Sequence, residues 1–323
     1  MLQGARNATL RSAIFSHDND YGIDPSGVLP LPRLKVSCVI PYYETGSLTE
    51  LTIHSLQEAL SAYLGLFDSP PQAQIVVVDD GSSRRPFTFA TDSAYTRVIR
   101  LPSNVGRSAA RSVGLLESSG FDLAFFVDSD MLVQWDQIIR TCELWSTHRT
   151  GESMEPRVVA NLFATSLQPV EGIDSRITLA LSTVKDDWRW YCRYQPTWIG
   201  CSADWAYVGR VFRLVTDTNY FRQWSGMLGP WSLPNMVLGG CFAVPVDVAN
   251  EVGGFDSAFE VYGFTETSLV AKLVAHGICV VPQVKSAAVH IEGNPQHFTQ
   301  QTRNEYFARA HRKFYQDFLA KRV

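Results

Sequence analysis

The feature that most constrains this chain is a pattern in its first half. Short apolar runs stop abruptly in polar residues and are separated by segments of helical spacing. The runs are KVSCVIPYY, AQIVVVDDGSS, TRVIRLP and FDLAFFVDSDM. Between the first two, LTELTIHSLQEALSAYLGLF sets Leu48, Leu51, Leu56, Leu60 and Leu64 at the spacing of a buried stripe. GRSAARSVGLLESS and WDQIIRTCELWSTH read as further helices. Continuous apolar strands are buried on both faces, and strands alternating with helices make crossover connections. The pattern predicts an α/β fold with a parallel sheet covered on both sides.

Beyond residue 155 the pattern loosens. RVVANLFAT reads as another strand, and VLGGCFAVPVDVANEVGGF returns to strand, turn and helix signals. The last segment, QQTRNEYFARAHRKFYQDFLAKRV, places Phe307, Ala310, Phe314 and Phe318 on one face of an amphipathic helix. The expected organisation is an N-terminal arm (1–34), one domain (35–295) and a C-terminal helix (296–323). The domain divides into a half spanning 35–135 and a second half spanning 155–295. Net charge is −4 and no long basic run occurs, which disfavours a nucleic-acid partner. No apolar run approaches the ~18 residues of a membrane span. Six scattered cysteines without a CxxC pair read as buried free thiols in a reducing compartment. With no clear signal segment at the N-terminus, a cytoplasmic location is expected.

Ligands of open α/β sheets bind beyond the carboxyl ends of the strands. Three runs carry polar groups there: Pro41-Tyr42-Tyr43-Glu44, Asp79-Asp80-Gly81-Ser82 and Asp128-Ser129-Asp130. One acid at a strand end is ordinarily a cap or turn former; three in one sheet suggest a site. On extended chain Asp128 and Asp130 would point to the same side, and their repulsion would be relieved by an oxygen-loving cation such as Mg2+ or Mn2+.

Taken together, VSCVIPYYE, VVVDDGSS, NVGRSAARSVGL, FFVDSDM and VGGFDSAFEVYGFTETSLVAKLVAHG occur in the order and spacing of family 2-like glycosyltransferases. The resemblance runs from Lys35 to His290. It implies the GT-A fold, a Rossmann-like, mixed, mostly parallel sheet flanked by helices, here with an N-terminal arm and a C-terminal helix. It also implies inverting transfer of a sugar from a nucleotide diphosphate, most simply a UDP-sugar, to an acceptor hydroxyl. Pro41 and Tyr43 match the nucleobase pocket, with Glu44 where the family often has Asn. Asp79 and Asp80 match the acidic pair that meets the base, and Arg107 matches a position facing the nucleotide. Asp128 and Asp130 match the DxD motif, Asp130 as direct metal ligand and Asp128 as ribose or water-mediated contact. His290 matches an additional metal ligand, compatible with Mn2+.

Inversion by single displacement requires a base for the acceptor proton. The family pattern after GGFD ends in a Glu-Asp pair opening a helix, and its second acid is the base. Here Thr265 stands for the first acid and Glu266 for the second. An acid in a first helical turn also suits the helix dipole without any catalysis. Asp256, in the GGFD turn, is a competitor that turn-capping would explain. Gly239 and Gly240 would let backbone approach the donor sugar or acceptor. Six of the 8 tryptophans lie between Trp188 and Trp231. Trp231 and its neighbours read as an acceptor groove, as a satellite cluster, or as a contact between copies in a homo-oligomer. The expected partners are a nucleotide sugar and a small, polar or sugar-containing acceptor. The alternatives are a metal-dependent sugar nucleotidyltransferase and a non-catalytic sugar- or nucleotide-binding module.

Overall fold

A computed structural model describes residues 8–10, 30–88, 95–145, 157–166, 234, 237–291 and 299–322. The stretch from 185 to 231, with Trp231, lies outside these residues, as does most of the N-terminal arm. In chain order the elements are β1 (Val36–Tyr42), α1 (Leu48–Leu64), β2 (Ala73–Asp79), β3 (Thr96–Arg100), α2 (Arg107–Glu117), β4 (Leu123–Val127), β5 (Met131–Val133) and α3 (Gln137–Trp145). They are followed by β6 (Val158–Ser166), β7 (Cys241–Pro245), α4 (Val246–Glu251), α5 (Thr265–Ala275), β8 (Val280–Ile291) and α6 (Gln300–Lys313). A π-helical turn, Phe314–Phe318, continues α6.

One sheet of eight strands runs in the order β3-β2-β1-β4-β7-β6-β8-β5. The first four strands in that order are parallel. β7 pairs antiparallel with both β4 and β6, and β8 runs parallel to β6 and antiparallel to β5. The mixed sheet flanked by helices is the architecture expected from the sequence. Pro41, of a residue type that removes a ladder donor, lies inside β1 and does not end it. β4 pairs only with Val36–Val39, so Pro41 lies past the ladder on that side and the strand continues through it to Tyr42.

Strand alternation divides the core into two layers. Cys38, Ile40, Ile75, Val77 and Phe125 face α1 and α3, where Leu56, Leu60, Tyr63 and Ile138 are buried. Val39 and Phe126 face the other way, toward α5 and the C-terminal aromatics. Fully burying one such side chain stabilises the fold by about 1.5–3 kcal/mol. α2 comes very close to β1: a Cβ on Gly114 would lie 2.2 Å from Cγ1 of Val39. The N-terminal arm is tied to the far end of the chain. Thr9 bridges Arg322, and Leu10 N–H donates to the Lys321 carbonyl at 2.8 Å.

Val39 is fully buried and its β-branched side chain is stiff at χ1, so it cannot swing away from an added methyl. Gly114→Ala is expected to destabilise the protein by about 1–3 kcal/mol through overpacking. A lowered urea midpoint with unchanged m-value would show it; an unchanged midpoint would refute the close approach.

Candidate active site

The polar strand ends expected from the sequence gather along the carboxyl edge of the sheet, but their acids do different jobs. Asp79 is fully buried and accepts from the backbone N–H groups of Ser82 (2.9 Å) and Phe87 (3.0 Å). Asp80 accepts from Val105 N (2.8 Å) and Gly106 N (3.0 Å), which joins β2 to the start of α2. Burial raises the Asp80 pKa, outweighing those two bonds. Glu44 sits at φ 55, in the left-handed region. Its carboxylate accepts from Ser83 N (2.8 Å), Arg84 N (2.9 Å) and Arg85 N (2.6 Å). The bond from Arg84, with those from Ser83 and Arg85, prevails over burial and holds the Glu44 carboxyl below the usual range. The Tyr42 hydroxyl closes the same loop, donating to the Arg85 carbonyl at 2.5 Å. Pro41 and Tyr43, half-buried, flank it.

The Asp128-Ser129-Asp130 segment is a turn between β4 and β5, not extended chain. This corrects the same-side geometry expected from the sequence. Ser129 is buried and hydrogen-bonds Thr45 Oγ1 at 2.7 Å, while its carbonyl accepts from Thr49 and Thr52 at 3.1 Å each. The middle residue thus anchors the turn on α1, and the aspartates beside it have separate partners. Asp130 Oδ1 lies 3.2 Å from His290 Nε2. The β5–β8 ladder, which aligns Met131 with His290, brings them together. Two ligands at right angles on a cation, each at ~2.1 Å, would be about 3.0 Å apart. The oxygen–nitrogen pair therefore fits one edge of an Mn2+ or Mg2+ shell. Among the described residues, no group of three His, Cys, Asp or Glu converges on a metal position. Substrate phosphates and water commonly complete the shells of such cations.

Asp128 turns the other way. Its Oδ1 accepts from Arg111 Nη2 at 2.7 Å, and the same Nη2 donates to the Gly239 carbonyl at 2.7 Å. Arg111 Nη1 lies 3.5 Å from Oε2 of Glu266. Pairing with Asp79 and Asp80 would be the plain role of two arginines one turn apart on α2, Arg107 and Arg111. Those aspartates instead accept backbone N–H groups, and the two arginines diverge. Arg111 is buried at the junction of Asp128 and Glu266, whereas Arg107 is exposed with its guanidinium 5.5 Å from the Tyr262 ring centre. Gly240 accepts from Asp128 N–H at 2.9 Å. A Cβ on Gly239 would lie 2.8 Å from Glu266 Oε2. The absent side chain at Gly239 thus leaves room for the Glu266 carboxylate.

Glu266 lies in the first turn of α5 and is 18% exposed. The residue before that helix, Phe264, has φ 61, a conformation that costs a non-glycine residue on the order of 1–3 kcal/mol. Aromatic packing offsets it. Phe264 stacks on Phe314 at 4.9 Å and meets Phe307 at 5.4 Å. Thr265 is fully buried and donates from Oγ1 to the Phe259 carbonyl at 2.9 Å. This contact accounts for the missing acid, since a carboxylate there would face a carbonyl oxygen. Asp256 caps the short 3-10 turn Ser257–Phe259 by accepting from Ala258 N at 2.8 Å, and pairs with Lys321 at 2.6 Å. Burial pushes its pKa up, but the Lys321 and Ala258 bonds prevail and lower it. Asp256 thus has the turn-capping contacts, and Glu266 shares the Arg111 guanidinium with Asp128. The contacts missed from the sequence are the Arg111 junction and the aromatic cradle of Phe264. Both join residues far apart in the chain.

Residues 37–171 match the model of Glycosyl transferase family 2. Three similar proteins are named N-acetylglucosaminyltransferase. That of Rhizobium meliloti (strain 1021) is 27% identical over 143 residues, 43% of this chain and 31% of the relative. That of Bradyrhizobium elkanii is 29% identical over 114 residues, 33% of this chain and 61% of the relative. That of Bradyrhizobium sp. (strain ANU 289) is 34% identical over 93 residues, 27% of this chain and 59% of the relative. The chain thus spans less than two thirds of the length of each. A solved structure of GalNAc-T7 with UDP, GalNAc and Mn2+ overlays with a TM-score of 0.47 at 16% identity, over 84% of this chain and 47% of that one.

Two outcomes test the acids. Above the ordinary Glu value of ~4.3 the stabilisation from Glu44 is fully present, and it is lost as pH falls through the lowered native value. Glu44→Gln should therefore unfold at lower urea than wild type at pH 7, with the gap narrowing toward pH 3. A gap constant with pH would contradict the assignment. Thr265→Asp, which would restore the acid pair, should destabilise by about 1–3 kcal/mol, because it buries an acceptor against an acceptor. Thr265→Ser should remain near wild type, and an equally stable Thr265→Asp protein would dismiss this account of the broken pair. Residues 37–171 of this chain are thus similar to Glycosyl transferase family 2.

Proposed function

We propose that the protein is an inverting, metal-dependent glycosyltransferase. It would move a sugar from a UDP-sugar to a hydroxyl of a small polar or sugar-containing acceptor. The observation that carries this reading is that the DxD turn and the acid opening α5 lie within the span of one guanidinium, Arg111. A donor diphosphate held at Asp130 would place its sugar beside Glu266. The names of the relatives make N-acetylglucosamine the first sugar to test.

In this reading Glu266 takes the acceptor proton as the hydroxyl attacks the anomeric carbon, and the bond to the nucleotide diphosphate breaks on the opposite face. The helix N-terminus favours the anionic form of Glu266, so orientation contributes more than intrinsic basicity. Asp130 and His290 would hold the cation, which when bound neutralises charge on the leaving diphosphate. The loops held by Glu44, Asp79 and Asp80 would form the nucleotide-binding wall, with Pro41, Tyr43 and Arg107 near it. The buried thiols of Cys38, Cys142, Cys241 and Cys279 suit a reducing compartment, so a cytoplasmic location is part of the proposal. Among the described residues no helix is long and apolar enough to cross a membrane.

Thermal unfolding against nucleotides, with and without Mn2+, tests the binding half. UDP should raise Tm only when Mn2+ is present, and Asp130→Asn or His290→Ala should abolish the shift. Glu266→Gln should keep that shift while kcat for sugar transfer or donor hydrolysis falls by about 10²–10⁴. Absence of any nucleotide response would sink both this reading and a nucleotidyltransferase, and a Glu266→Gln variant with wild-type turnover would remove Glu266 as base.

A further inference from the structure

Arg111 has a role that base and cation sites alone do not explain. It is the largest fully buried side chain beside the site, and its contacts are unequal. The two protons of Nη2 go to Asp128 and to the Gly239 carbonyl, both at 2.7 Å. Nη1 meets Glu266 at 3.5 Å, the outer limit of a hydrogen bond. A planar fork fixed so firmly on one side cannot rotate freely toward the other. The Glu266 carboxylate is bounded on one flank by Nη1 and on another by Gly239, which has no side chain to displace it. A tight two-bond clasp would occupy the lone pairs that a base needs. A single long contact orients the carboxylate and leaves them available to a substrate hydroxyl.

We propose that Arg111 is the positioning residue of the site. Anchored on Asp128 and the Gly239 carbonyl, its guanidinium sets where the Glu266 carboxylate stands relative to the DxD turn. The inference rests on the reading of Glu266 as base. Lysine keeps the charge at position 111 but cannot reach Asp128, Gly239 and Glu266 at once. Gly239→Ala disturbs the same arrangement from the opposite side with Arg111 intact. Its methyl would meet Glu266 Oε2 at 2.8 Å and Arg111 Nη2 at 3.1 Å. Because Oε2 ends a flexible side chain, that carboxylate can shift while the fold is retained.

The experiment is a double-mutant cycle read by Mn2+-dependent hydrolysis of UDP-N-acetylglucosamine, with folding checked by circular dichroism and UDP binding by thermal shift. Arg111→Lys and Gly239→Ala should each lower kcat about 100-fold, the loss expected from misplacing a reacting group by roughly 1 Å. Combined with Glu266→Gln, either should leave the rate within about threefold of Glu266→Gln alone, because the position of a base that is gone no longer matters. A purely structural role would instead multiply the losses. A near wild-type rate in whichever of the two variants folds, or a double variant well below Glu266→Gln, overturns the assignment of Arg111 alone. If the wild type neither binds UDP with Mn2+ nor turns over, or Glu266→Gln is as fast as wild type, the underlying reading fails and this one falls with it.

Discussion

Buried carboxylates that accept backbone N–H groups hold the working edge of this molecule in shape. Glu44, Asp79 and Asp80 each take N–H groups from loops that would otherwise have to satisfy them in water or with one another. A carboxylate offers two oxygens and about four acceptor sites, so one side chain can fix several residues of a loop. The loop after β2 and the entry to α2 depend on this arrangement. Three other acids meet side-chain groups instead: Asp128 and Glu266 at Arg111, Asp130 at His290. Side-chain contacts can be exchanged for a ligand at less cost than a backbone network can be dismantled. The division between acids that brace loops and acids that meet other side chains follows from what each one touches.

The second dependence runs across the sheet. β7 enters antiparallel between β4 and β6, which places Gly239 and Gly240 against the end of β4. β8 returns to pair with β5, which places His290 against Asp130. β7 runs opposite to β4 and so begins, just after Gly239 and Gly240, at the carboxyl edge, whereas β8 runs in the sense of β4 and reaches that edge at its far end, with His290. The mixed topology brings residues from the second half of the chain to a rim built by the first.

Much of this was legible in the sequence. Apolar runs ending in acids gave the parallel half directly, since burial on both faces leaves a strong compositional trace in β1, β2 and β4. The helical stripe through Leu56 and Leu60 and the terminal aromatic face of Phe307, Phe314 and Phe318 were equally plain. What could not be read is set by distance along the chain. Arg111 looks like an ordinary helical charge until β7 and α5 are folded against it. Glu44 looks like a poor match to an expected Asn until the loop at 83–85 closes on it. In the sequence the Asp128–Asp130 segment reads as extended chain because β5 is only three residues long and continues the apolar pattern beyond Asp130. A left-handed Phe264 has no sequence signature, for it is the surrounding rings that make the conformation tolerable.

The packing of Phe264 on Phe307 and Phe314 also orders events in time. Chains are synthesised from the N-terminus and domains acquire structure as they emerge. β1, β2 and β4 can pair early, and the acid-held loops on their edge need only residues up to about 106. The turn that presents Glu266 has no rings to support it until residues 307–318 have left the ribosome. A nascent chain would therefore acquire the loops held by Glu44, Asp79 and Asp80 well before its acid at α5 is held in place.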